Sequence, residues 1–109
     1  MSKTLFGTVE IVLGDETYIL KPTLGAVRTI EAYLGGLRGA SQAVNALSVV
    51  GCAVIIASGA GLTGKDADAV AEQVWQAGVV EASVQLNAYL VALYNPKGES
   101  AGKDQPAKA

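Results

Sequence analysis

Between Arg38 and Lys65 the chain carries no charged side chain, and the run "VVGCAVIIAS" lies inside that interval. No other feature limits the fold as much, because so apolar a stretch has to be hidden from water. A helix that is apolar on all sides is either the buried centre of a bundle or a membrane span. The β-branched portion "VVGCAVII" also fits a buried strand, and periodicity alone does not separate the two. Ser41 is a fitting N-cap for the alanine-containing "SQAVNALS", and the uninterrupted pattern is too long for one strand. The reading is therefore one helix over about 41–58, with a thin polar stripe of Gln42, Asn45, Ser48 and Cys52.

The stretch 43–62, "AVNALSVVGCAVIIASGAGL", has roughly the 20-residue length that crosses a bilayer core. Against a span, Asn45 and Ser48 lie within it, and one basic residue on either side, Arg38 and Lys65, gives no orientation bias. A buried central helix is preferred, and a small membrane-associated protein with a span near 43–62 is the lesser alternative.

The flanking segments supply what packs on that helix. In "GTVEIVLGDETYILK" Val9, Ile11 and Leu13 alternate with Thr8, Glu10 and Val12, which is the period of a half-buried strand. Gly14-Asp15 suits a two-residue II′ turn with glycine at its first central position. The resulting hairpin, 7–21, sets Ile11 opposite Tyr18 and Val9 opposite Leu20, with Val9, Ile11, Leu13, Tyr18 and Leu20 on one face. Two strands are marginal alone, so the hairpin must lie on helices or pair its free edge with another chain. Pro22 stops the second strand. Thr23 caps a helix over 23–35 that Gly35-Gly36 ends, with Leu24, Val27, Ile30, Ala32 and Leu34 at helical spacing, and "GGLRG" reads as a loop. Thr63, with Asp66 in the first turn, starts a helix over 64–77 whose apolar side is Val70, Ala71, Val74 and Trp75. Gly78 separates it from a last helix over 79–94. There Leu86, Tyr89, Leu90 and Leu93 share one stripe and Val80, Val84 and Val91 another. The stretch 96–109, "PKGESAGKDQPAKA", reads as a disordered tail. The class is α+β: one domain over 1–95, with a hairpin followed by about four helices.

One motif invites a catalytic reading. "GAGLTGKD" places Gly59, Gly64 and Lys65 at the spacing of a phosphate-binding loop, G-x-x-x-x-G-K-[ST]. The residue after the lysine is Asp66, not the hydroxyl that holds Mg²⁺, and its charge would face the phosphates. The chain beyond Lys65 is also too short for the rest of a parallel sheet with crossovers. A turn leading into a helix cap accounts for every residue. With no histidine in the chain, Ser-His and Cys-His pairs drop out, and with them almost every zinc site. The acids, among them Glu10, Asp15, Glu31, Asp66, Asp68 and Glu81, fall at turns, helix starts and wet faces. Cys52, the only cysteine, sits among valines and isoleucines as an inert core thiol. Net charge is −2 with no basic cluster, which gives nucleic acid no footprint. The reading is not an enzyme, with no cofactor, no metal, no nucleic-acid partner and no membrane. "MSKTLFGTVE" lacks the apolar core of a secretory signal.

"GTVEIVLGDETYILKPTLGAVRTIEAYLG" resembles the opening of the phage tail assembly chaperone family that includes the gene transfer agent tail proteins. There a hairpin of the form G-x-V-x-h…D-G-x-x-h-x-L leads into "LTLGALAEIE". The matching residues are Gly7, Val9 and Ile11, then Thr23-Leu24-Gly25-Ala26 and Ile30-Glu31, and the order of later segments agrees to about residue 94. The chain departs from the pattern with "LGDET" at the turn, Pro22 before the helix, and a less acidic, more apolar second helix. The resemblance implies an assembly protein of the bacterial host cytoplasm. Its partners would be the long helical tape measure protein, which it keeps soluble, and the tail tube subunits that polymerise around it. Self-association through the hairpin edge is also expected. The alternative is a structural component of the tail or tail tube. The expected partner surface is Val12 and Ile19 on the hairpin with Leu86, Tyr89, Leu90, Leu93 and Tyr94 on the last helix. "NPKG", 95–98, could be encoded by slip-prone codons, as in relatives that make a longer frameshifted product.

Overall fold

The computed structural model describes residues 7–95. Strands β1 (Val9–Leu13) and β2 (Glu16–Leu20) pair antiparallel. Helices α1 (Leu24–Leu34), α2 (Leu37–Asn45), α3 (Val49–Ala60), α4 (Gly64–Ala77) and α5 (Val79–Tyr94) follow. The class is α+β, as the sequence implies. The expected tail, 96–109, and most of the "NPKG" stretch lie outside the described residues.

The hairpin has the expected register, with Val9 opposite Leu20, Ile11 opposite Tyr18 and Leu13 opposite Glu16. Gly14 takes φ 60° while Asp15 stays at negative φ, the signature of a II′ turn. Ile11, Leu13 and Leu20 are fully buried, and Glu10, Val12, Thr17 and Ile19 face outward. Helix α1 begins where Thr23 Oγ1 accepts the Ala26 N–H at 3.1 Å, and it ends on left-handed Gly35.

The apolar interval does not fold as one helix over 41–58. It breaks at Ala46-Leu47-Ser48, so the described residues form five helices where about four are expected. Two bonds close α2, Ser48 N–H to the Ala43 carbonyl and Leu47 N–H to the Val44 carbonyl, with Leu47 left-handed at φ 57°. That is a Schellman ending, whose left-handed position usually belongs to glycine. Ser48 then caps α3 by accepting the Gly51 N–H at 2.9 Å. Gly51 is required by the tightness of the corner, since a Cβ there would lie 2.5 Å from that of Ala43. The "GGLRG" segment, expected as a loop, already enters α2 at Leu37, and Ser41 lies inside α2 instead of capping it.

Helix α3 is the centre. It packs on α1, α2, α4, α5 and β2, which is why it is apolar all round. Cys52, Ile55 and Ile56 are completely buried in a core to which every element contributes. Among the described residues no helix is long and apolar enough to cross a membrane; α3 itself has 12 residues.

Beside α3, one junction ties three elements together. The Lys21 N–H donates to the Gly59 carbonyl at 3.0 Å, and the Tyr89 hydroxyl donates to the Lys21 carbonyl at 2.6 Å. Gly59 allows this approach: a Cβ would lie 2.8 Å from the Tyr89 oxygen and 2.9 Å from the Leu20 Cβ.

Candidate partner-binding groove

Two pairs of small residues at helical spacing, Ala53 and Ala57 on α3 and Ala67 and Ala71 on α4, lie on facing surfaces. Side chains this short keep the helices from filling the space between them, and α1 supplies the third wall. The result is an open groove of about 560 Å³. Its rim carries two large apolar side chains that the domain leaves in water, Tyr33 of α1 (73% exposed) and Val50 of α3 (67% exposed).

Two of the groove's hydroxyls are held within their own helices. The Ser58 hydroxyl donates to the Val54 carbonyl at 2.6 Å and the Thr29 hydroxyl to the Gly25 carbonyl at 3.2 Å, each back onto its own helix. Among the described residues, Asp68 is the one carboxylate in the lining. Such a site takes up apolar side chains and lets a partner's backbone come close over the alanines.

The phosphate-loop spacing dissolves in the structure. Gly59 lies inside α3, Gly61 ends that helix in the left-handed conformation, and Lys65 is exposed in the first turn of α4. The nucleotide loop needs a strand before it, and here a helix stands there. Cys52 is buried, and burial pushes its thiol pKa up, away from the reactive thiolate. Tyr89 is shifted strongly upward for the same reason, and Tyr18 is raised by burial first and by Glu16 second.

The expected partner residues divide. Val12 and Ile19 stand out from the hairpin, close to half exposed, and Tyr94 is exposed while its hydroxyl donates to the Leu37 carbonyl at 3.2 Å and meets the Ser41 hydroxyl at 2.9 Å. Leu86, Tyr89, Leu90 and Leu93 are a correction: they are buried in the domain's own core and offer no surface to a partner. Helix α5 has two apolar stripes, and it is the other one, Val80, Val84 and Val91, that faces water. Trp75, expected on the inner side of α4, is 68% exposed, and Leu24, expected on that of α1, is also exposed. The groove itself was missed. Its signal, alanines four apart on two successive helices, is common in any helix interior.

Comparison with protein-family models, with curated proteins and with solved structures finds no match for this chain.

Proposed function

We propose that the protein is a tail assembly chaperone of a long-tailed phage or phage-like particle, holding the tape measure protein through the groove between α1, α3 and α4. The observation that carries this reading is the groove: apolar, floored by alanines and rimmed by exposed Tyr33 and Val50. An amphipathic helix presents apolar residues at i, i+3 or i+4 and i+7, and a shallow apolar groove receives that pattern. An open groove also limits the area covered, which keeps the partner releasable when tube subunits polymerise around it. The hairpin-and-helix opening that resembles the family supports the same reading. The protein acts without a cofactor and works in the cytoplasm of the bacterial host.

The test is co-expression of the chain, tagged at its C-terminus, with the tape measure reading frame encoded beside it. Capture of that protein on the tag, with a rise in its soluble fraction, is the expected result. A partner that stays insoluble beside well-folded chain would refute the reading and favour a structural tail component.

A further inference from the structure

We infer that the outer edge of β2 is the seam of a homodimer, pairing antiparallel with β2 of a second copy so that Thr17 of each lies opposite Ile19 of the other. This seam is independent of the chaperone reading and rests on backbone hydrogen bonding.

The two edges of the hairpin are not equivalent. Val12 turns both its N–H and its C=O away from β2, and Gln85 of α5 takes both, at 2.7 and 2.9 Å. Helix α5 thereby covers the β1 edge at Val12, one of its two outward-turned residues, whereas both of those on β2 are open. Thr17 lies opposite Val12, and Ile19 opposite Glu10. In an antiparallel ladder such pairs share one orientation, so Thr17 and Ile19 turn their N–H and C=O groups away from β1. Lys21, next in the same phase, gives its N–H to Gly59. Among the described residues nothing pairs with Thr17 or Ile19 across this edge. It carries no proline and no bulge, the usual means of blunting one.

Self-complementarity then fixes the register. With Thr17 opposite Ile19 of the second copy, both open residues of each strand are used, and the two-fold axis passes through the Tyr18 pair. Sliding one way would set Thr17 against Lys21, whose N–H is already held by Gly59. Sliding the other way would set Ile19 against Asp15, which belongs to the turn.

Charge agrees with this arrangement. The turn end of β2 is acidic, with Asp15 and Glu16, and the far end carries Lys21. The inferred register sets Asp15 of each copy against Lys21 of the other, whereas parallel pairing would set like charge on like. Across the outer face each row then reads Val12, Thr17, then Ile19 and Glu10 of the second copy. This draws the half-exposed Ile19 into a four-stranded sheet in place of a marginal pair of strands.

Sedimentation equilibrium combined with amide hydrogen exchange on the full chain tests the inference. A concentration-dependent dimer is expected, in which the Thr17 and Ile19 amides become protected in step with dimer population. Asp15→Lys or Lys21→Asp, both at exposed side chains, should each raise the dissociation constant about tenfold, since two symmetric ion pairs are lost. The double variant, with the charges exchanged, should restore it. A chain that stays monomeric up to about 1 mM would overturn the inference. So would a dimer whose Thr17 and Ile19 amides exchange equally fast at all concentrations, or a double variant no better than either single one.

Discussion

The side-chain amide of Gln85 binds the backbone of Val12 at both ends, accepting its N–H at 2.7 Å and donating to its carbonyl at 2.9 Å. A helix side chain thus does for Val12 what a neighbouring strand residue would do. Gln85→Leu keeps the bulk and removes both bonds, which should cost about 1–3 kcal/mol. Urea unfolding measures the loss, and faster exchange of the Val12 amide locates it.

Gly59 is the second point where packing decides the residue. Adding a methyl group there forces the Tyr89 ring or the Leu20 side chain to move. Gly59→Ala should destabilise the domain by about 1–3 kcal/mol, the usual cost of overpacking. The same change at Gly61, whose added Cβ meets nothing, would cost only the left-handed backbone strain. Thermal unfolding of the two variants separates the contributions.

Burial of the Tyr89 hydroxyl makes stability depend on alkaline pH. Its folded pKa is raised above the unfolded value of about 10, so the unfolded state loses the proton first. The stability that this group contributes should be intact below about pH 10 and fall above it, approaching 1.36 kcal/mol per pH unit. Cys52 is shifted in the same direction and begins the decline earlier. Tyr89→Phe loses the bond to the Lys21 carbonyl, about 1 kcal/mol at neutral pH. That deficit should shrink as the pH passes 10, which denaturant titrations at pH 8 and pH 11 would reveal.

Much of the fold was legible because local chemistry and tertiary structure agree. The II′ turn needs glycine at its first position and finds Gly14; the helix α1 start needs a hydroxyl and finds Thr23. The break at Leu47 was not legible, because its left-handed position is filled by leucine and nothing in "NALSV" announces it. What admits that corner is the absence of a Cβ on Gly51 beside Ala43, two residues whose separation in space a single sequence does not reveal. The groove was hidden for a related reason. An alanine facing a neighbouring helix and one facing a void look the same in sequence, and only the relative placement of α1, α3 and α4 separates them. The two stripes of α5 pose the same problem, and there the core took the stripe expected to meet a partner.

Thr8 carries a different prediction. Its hydroxyl oxygen is buried without a hydrogen-bond partner among the described residues. Replacing it with an isosteric methyl removes a desolvation cost of about 1 kcal/mol or more. Thr8→Val should therefore raise the melting temperature, which differential scanning calorimetry reads directly.

The proposed role requires that the α1–α3–α4 groove hold the tape measure protein. Its most direct test is the soluble fraction of that protein when co-expressed with Tyr33→Glu/Val50→Glu, compared with wild type and with Val80→Glu/Val91→Glu on α5. All four side chains are exposed, so both variants should fold as wild type by circular dichroism. The groove variant should lose partner solubilisation while the α5 variant keeps it. Full solubilisation by the groove variant, or loss only in the α5 variant, would contradict it.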